Sequence, residues 1–379
     1  MLQLVREWPP GYGGVERVAH ALSEAWQQSG LSATVFCLQG PSSIPAADPL
    51  PVAYRRIPLP RLSFGQLLLP LPSTPLLALL GGTSPLHVHL PCPSLLLLSV
   101  LARLLHPRRW ISLHWHAFLE PEQGFKGILT ALYQWLALRW AAVGVQRIVT
   151  TSPVLVEALA AAGVPLRRLA LLPCCLQPAQ ERAAARIASL RLRQPALAGP
   201  FRVLFIGRLD SYKRVDWLIE AFAAIAVTDP NLGLQAELHI VGDGPRRAAL
   251  ERQALAVAPG LIRFHGRLAE PRKQALLAAA ALLVLPADRC NEAFGIVQLE
   301  AMAAGIPSLA FRLPRSGMAW VCELPGLTWP GAPADLAAVL QRLAAEPAWR
   351  AALGRQARDR YLQLFARQVW QRQLEGLNL

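Results

Sequence analysis

Short apolar runs alternate with longer amphipathic stretches from one end of this chain to the other. In the first half, "MLQLV", "SATVFCL", "LHVHL", "WISLHW" and "RIVTTS" have the length and composition of buried strands. Between them, "GVERVAHALSEAWQQSG", "SLLLLSVLARLLH" and "ILTALYQWLALRWAAVG" place apolar residues at helical spacing. The pattern lapses from Gln177 to Pro200, a basic and proline-ended stretch, and restarts with the strand in "FRVLFIGRLD". "AELHIVGDG", "IRFHGRL", "ALLVLP" and "SLAF" follow as further strands, each trailed by a helical run. Strand–helix alternation predicts βαβ units and parallel sheets. The restart predicts two of them: an α/β chain with two doubly wound Rossmann-like domains, residues 1–195 and 196–355. A ligand cleft is expected where the carboxyl ends of the strands face each other. An amphipathic helix is predicted over 356–379, where Tyr361, Leu362, Phe365, Val369 and Leu374 recur at near-helical spacing.

At 379 residues the chain is too long for one comfortable core, which agrees with two domains. A 53% hydrophobic composition calls for a membrane check. The most apolar run, "PSLLLLSVLARLL", is broken by Arg103 and falls short of the roughly 20 residues a span needs. The opening "MLQLVREWPPGYGG" has no basic-then-apolar signal, so a cytoplasmic location is expected. Six cysteines, Cys37, Cys92, Cys174, Cys175, Cys290 and Cys322, form no C-x-x-C pair and read as small buried apolar residues rather than metal ligands.

A formal charge of +14 raises nucleic-acid binding, yet no dense basic run is interleaved with aromatics. Only Lys126, Lys213 and Lys273 are lysines; arginine carries the rest, and nucleic acid is not expected as a partner. Counting Lys+Arg minus Asp+Glu, residues 1–200 give 17 − 8 = +9 and residues 201–379 give 21 − 16 = +5. The more basic first half, with Trp110, Trp115, Trp135 and Trp140, suits peripheral contact with an anionic membrane or an acidic acceptor, although solvated arginines and core tryptophans would read the same way.

Four stretches carry chemistry. In "GYGGVERVAHAL", Gly11, Gly13 and Gly14 sit between a strand and a helix, where backbone N–H groups can approach a phosphate; Glu16 stands where a dinucleotide fingerprint would have its last glycine. In "FIGRLDSYKRVDWLIEAF", Arg208 and Lys213 follow a strand end within one loop, a pair of cations able to hold a diphosphate. "VGDGP" sets Gly242 and Gly244 before Pro245, which suits a first helical position. In "NEAFGIVQLEAMAAGIP", Glu292 and Glu300 lie eight positions apart around Gly295. Gly305 and Pro307 end the helix, so it begins near Gly295 and leaves Glu292 in the loop ahead of it. The N–H groups of Phe294, Gly295 and Ile296 would face an anion at the helix start, and two carboxylates would accept hydroxyl hydrogen bonds on either side. Such an arrangement describes a nucleotide-sugar.

The E-x7-E motif, with "GGVE", "GRLDSYKRVDWLIEAF", "IVGDGP" and "IRFHGRL" in order, resembles the retaining GT-B-fold glycosyltransferases, the large family of sucrose synthases and bacterial mannosyltransferases. The resemblance covers nearly the whole chain. It implies that Glu292 holds the donor sugar's hydroxyls, Glu300 the ribose, and Arg208 and Lys213 the diphosphate. Phe294, Gly295 and Ile296 would give backbone contacts to the sugar-phosphate. Gly13 and Gly14 would close the diphosphate site, and backbone near Gly266, Arg267 and Leu268 would meet the base. The family's first-domain histidine facing the reacting sugar would be His114, with His116 as its competitor in "SLHWHAF"; His87 and His89 alternate along a strand and receive no role. The first domain would take the acceptor, the second would bind the donor, and the last helix would cross back. Met318 and Trp320 stand where relatives have a glycine-rich loop. The implied reaction moves a sugar, first guess from GDP-mannose, to a saccharide or lipid-linked acceptor in cell-surface polysaccharide or glycolipid synthesis. With no D-x-D pair to carry a metal, no metal and no cofactor beyond the donor are expected. Another GT-B enzyme, such as a nucleotide-sugar epimerase or a phosphorylase, and a nucleic-acid-binding protein are the alternatives.

Overall fold

The structure, a computed structural model, describes residues 1–10, 13–38, 52–64, 67–121, 123–193, 200–227, 236–329, 332 and 334–377. Gly11 and residues 194–199 of the stretch where the pattern lapses lie outside them. The chain divides into two compact units: Met1–Cys175 with Trp370–Leu379, and Leu176–Val369.

In the first unit the strands are β1 (Leu2–Val5), β2 (Thr34–Cys37), β3 (Arg55–Pro58), the hairpin β4 (Arg61–Phe64) and β5 (Leu67–Pro70), then β6 (Leu86–Leu90), β7 (Ile111–Trp115), β8 (Arg147–Thr150) and β9 (Leu169–Leu171). Seven of them form one sheet in the order β3-β2-β1-β6-β7-β8-β9, every pair parallel. The helices are α1 (Gly14–Gln28), α2 (Thr74–Gly81), α3 (Pro93–Leu105), α4 (Phe125–Val143) and α5 (Pro153–Ala161). β6 and β7 are buried at every position, as strands covered on both faces must be. One face is apolar, with Leu86, Val88, Ile111 and Leu113 out of contact with solvent.

The second unit opens on α6 (Pro178–Arg193) and holds β10 (Phe201–Ile206), β11 (Ala236–Val241), β12 (Ile262–Gly266), β13 (Leu282–Leu285) and β14 (Ser308–Ala310). Its sheet runs β12-β11-β10-β13-β14, again parallel throughout. α7 (Val215–Val227), α8 (Arg247–Val257), α9 (Glu270–Ala279), α10 (Ile296–Ala303), α11 (Met318–Val321), α12 (Asp335–Ala345), α13 (Pro347–Leu364) and α14 (Arg367–Glu375) complete the chain.

The predicted strands all form, and both sheets are doubly wound. β3, β9 and the β4–β5 hairpin are additions, too short or too proline-rich to carry a periodic signal. The unit boundary falls at Cys175/Leu176, about twenty residues ahead of the one expected from the lapse in pattern. Helix α6 explains the difference. It packs on α10, Arg191 donates to the Ala278 and Ala280 carbonyls at 3.2 and 3.0 Å, and Glu181 accepts from Tyr361 Oη at 2.7 Å. A polar stretch can still be a packed helix when its few apolar residues, here Ala184, Ile187 and Ala188, share one face.

Candidate functional site

The helix start singled out in the sequence forms as expected. β13 ends at Leu285, a loop carries Glu292, and Gly295 caps α10 with φ +71°, a left-handed conformation that favours glycine. A Cβ there would lie 2.6 Å from Leu285 Cδ1, so the close approach also excludes larger residues. Buried Gln298 ties the region together. Its amide nitrogen donates to the carbonyls of Phe294 (2.9 Å) and Met318 (3.1 Å), and its oxygen accepts from Ser308 Oγ (3.1 Å). Ser316 Oγ donates to the Glu292 carbonyl at 2.6 Å, and the Gly317 N–H donates to the Ala293 carbonyl at 2.8 Å. The backbone that presents Glu292 is thus fixed from α10, α11 and β14.

Both signature glutamates are ion-paired with a buried lysine. Lys213 Nζ donates to Glu292 Oε2. Burial works against the Lys213 charge, but Glu292 beside it, with Tyr212 and Asp210 adding to the effect, holds its pKa above the ordinary lysine value. Glu300 Oε2 lies 2.6 Å from Lys273 Nζ, its Oε1 accepts from Gln180 Nε2 at 3.3 Å, and Lys273 also reaches Glu270 at 3.0 Å. In a chain where arginine carries nearly all positive charge, two of the three lysines serve these two glutamates. Lys273 was not predicted: it lies 27 positions before Glu300 in an unremarkable helix, and only the scarcity of lysine pointed to it.

Arg208 projects from the β10–α7 loop, its side chain 70% exposed and 3.0 Å from Asp210. Arg214, unmarked in the sequence, holds the same loop to the one after β13. It adopts φ +48° and pairs with Asp216 at 2.8 Å and Asp288 at 3.1 Å, while the Asp288 N–H donates to the Tyr212 carbonyl at 3.0 Å. Gly244 brings two loops into contact; a Cβ there would meet the Leu209 carbonyl oxygen at 2.6 Å. Gly266 ends β12 with φ +65° and accepts from the Gly242 N–H at 2.8 Å; Arg267 beyond it is exposed and Leu268 half-buried.

In the first unit, exposed Gly13 caps α1 and Gly14 is its first residue. A Cβ on Gly13 would strike the Glu16 carboxyl group. Glu16 is buried, and desolvation, reinforced by Glu7, raises its pKa to about 7.

His114 lies fully buried in a polar ladder on one sheet face. Register aligns Gln3 with His87, His87 with Ser112, and His89 with His114. The Gln3 amide nitrogen donates to the Ala19 carbonyl at 2.9 Å, so its oxygen accepts from His89 Nε2 at 2.7 Å. His89 Nδ1 then accepts from His116 Nε2 at 2.8 Å. His87 joins Ser112 Oγ at 2.8 Å and His114 Nδ1 at 3.3 Å, leaving His114 Nε2 buried with no partner among the described residues. Burial lowers the pKa of all four rings, that of His87 to about 3. His89, His114 and His116 each offer a nitrogen within 4.8 Å of the others, close enough to consider a metal. Their rings are nearly parallel, at 3°, 14° and 16°, and a ring nitrogen's lone pair lies in its own plane, so the three do not converge. This is a hydrogen-bonded ladder.

Residues 13–175 match the family described as Glycosyl transferase 4-like domain, and residues 200–346 the family described as Glycosyl transferases group 1. Together they take in most of the chain, which belongs to the GT-B-fold glycosyltransferases that its motifs resemble. The chain is 36% identical over 164 residues to the D-inositol 3-phosphate glycosyltransferase of Nocardiopsis dassonvillei, covering 41% of this chain and 38% of that one. It is also 36% identical over 118 residues, 30% of this chain and 29% of the relative, to the GDP-mannose-dependent alpha-(1-6)-phosphatidylinositol dimannoside mannosyltransferase of Mycobacterium tuberculosis. The matched region spans about two fifths or less of the length of these curated relatives. Among solved structures, Anabaena HepE in complex with UDP superposes with a TM-score of 0.72 at 20% identity over 99% of both chains, a likeness of fold. Among the described residues no helix is long and apolar enough to cross a membrane.

Proposed function

We propose that the protein transfers a sugar from a nucleoside-diphosphate donor to a saccharide or lipid-linked acceptor, with retention at the anomeric carbon. One observation carries the reading: two glutamates flank a glycine-capped helix start, each held by a buried lysine, with Arg208 open in the same loop as Lys213. Lys213 now faces Glu292. An incoming diphosphate is a stronger partner for the ammonium, so donor binding draws Lys213 away and frees the Glu292 carboxylate to accept the sugar's hydroxyls. Arg208, Lys213 and the start of α10 then stabilise the charge that develops on the leaving diphosphate without need of a metal there. Glu300, paired with and oriented by Lys273, takes the ribose, and backbone at Gly266, Arg267 and Leu268 meets the base. The acceptor oxygen bonds to the anomeric carbon on the face from which the phosphate oxygen leaves, and the hydroxyl proton passes to that oxygen. His114 is given no contact with substrate, because its ring is buried in the ladder. GDP-mannose is the first donor to test, supported by the relative named for it. Work from the cytoplasm, in cell-surface polysaccharide or glycolipid synthesis, fits a lipid-linked acceptor.

Glu292→Gln tests the core of this reading, because it keeps a hydrogen-bond acceptor for Lys213 while removing the charge. Transfer should be lost with the fold retained; unchanged turnover would defeat the proposal. Arg208→Ala and Lys213→Ala should each cost about 2–4 kcal/mol of transition-state stabilisation. EDTA should leave wild-type activity in place, and a requirement for added magnesium or manganese would overturn the metal-free account. Thermal stabilisation by GDP-mannose above that by UDP-glucose at equal concentration would select the donor.

A further inference from the structure

Arg214 stands in a backbone conformation that favours glycine. Its φ of +48° lies in the left-handed region, which glycine enters freely and a longer side chain does not. Glycine would serve the turn, so the reason for an arginine lies in its side chain; strain of this kind gathers where a site needs a fixed geometry. Every nitrogen of the guanidinium is engaged. Nε and Nη2 donate as a fork to the Asp216 carboxylate at 3.1 and 2.8 Å, and Nη1 donates to Asp288 Oδ2 at 3.1 Å. The Trp217 ring lies against the same group, its centroid 3.9 Å from Cζ. Asp288 Oδ1 is buried with no partner among the described residues, so Arg214 is the side chain that places this carboxylate.

Two neighbouring side-chain rungs join the loop after β10 to the loop after β13. Lys213 pairs with Glu292; Arg214, the next residue, pairs with Asp288, four positions before Glu292. A donor would treat the rungs differently. On the function proposed above, on which this inference rests, the diphosphate draws Lys213 away from Glu292 and opens that rung. The Arg214 guanidinium already meets two carboxylates and has no donor left for a third anion. We infer that Arg214 is a positioning residue: its clasp on Asp288 stays closed and fixes the separation of the two loops while the Lys213–Glu292 pair opens. Each loop grips a different part of the donor, Arg208 and Lys213 the diphosphate and Glu292 the sugar. Without the clasp both sets of contacts still form, but displaced from each other, and such misplacement lowers turnover more than affinity.

Donor binding and release of nucleoside diphosphate by the full chain test this, with a panel of UDP-, GDP- and ADP-sugars and a lipid and saccharide extract as the source of acceptor. Arg214→Gly, which also relieves the backbone, should lower turnover about ten- to a hundredfold, with circular dichroism unchanged and donor Kd within about threefold of wild type. Arg214→Lys should fall as far, because one ammonium cannot reproduce the fork and the third donor together. Asp288→Ala should match them, and Arg214→Gly/Asp288→Ala should lose no more than either single change. Turnover restored by lysine would make charge, not the clasp, the source and overturn the positioning role. Turnover kept in Arg214→Gly, or losses that multiply in the double variant, would overturn it equally while leaving an active wild type. A wild type that binds none of the panel would overturn the reading of the site, and this inference with it.

Discussion

The two sheets bury polar groups in opposite ways. In the first, Gln3, His87, His89, Ser112 and His114 run across three strands as a ladder of neutral groups. In the second, buried polar side chains form ion pairs, Lys213 with Glu292 and Lys273 with Glu300. A neutral group can sit inside a sheet when its hydrogen bonds are met, whereas a buried charge needs a partner of opposite sign. The first arrangement depends on the rings staying unprotonated. The second keeps each buried charge beside its counter-charge.

Acid should separate the two most strongly. The folded state excludes protons that an unfolded chain takes up below pH 6.5, so stability is present above that pH and is lost as pH falls towards 3, the value to which His87 is pushed. His87 alone contributes about 1.4 kcal/mol per pH unit across that window, and His89, His114 and His116 act in the same direction. Glu16 opposes them, because a carboxyl raised from 4.5 to about 7 favours the folded state as pH falls between those values. Amide hydrogen exchange in β6 and β7 should therefore accelerate between pH 6.5 and 5 relative to β10 and β13, after correction for intrinsic rates. Equal change in both sheets would remove the contrast.

Breaking one buried ion pair should come next. Lys273→Met leaves Glu300 without its cation and should cost about 3–5 kcal/mol. Lys273→Met/Glu300→Leu should recover most of this, since replacing both partners removes the uncompensated charge; denaturant midpoints decide. If the single and double variants were equally unstable, the pairing would not be the source.

Gly295→Ala should cost about 1–3 kcal/mol, from the left-handed backbone and from Leu285 in the way of the new Cβ. A melting temperature like wild type would show that the cap relaxes freely. The smallest effect belongs to Ser316→Ala, which loses the hydrogen bond to the Glu292 carbonyl at about 1 kcal/mol. Its sharper readout is a reduced turnover that melting alone would not foretell.

Much of this was legible in the residues. Strand and helix periods gave two parallel sheets, and the glycine between Glu292 and Glu300 marked the start of α10 within a residue. What escaped was non-local. α6 fell within the lapse in pattern because its packing face is short. The pairing of each glutamate with a lysine could not be read from spacings of 79 and 27 positions.

By itself the sequence determined the alternation of elements, their parallel arrangement and the identity of the helix start, because these follow from local periodicity and from glycine's access to positive φ. Only the tertiary structure decided which polar residues are buried, which lysine serves which glutamate, and which side of α4 faces water. Hydrophobicity drives a residue towards some interior, but strand register and helix packing choose the neighbour it meets there. In α4 that choice turned the glycine and alanines inward and left the leucines and Trp135 outside.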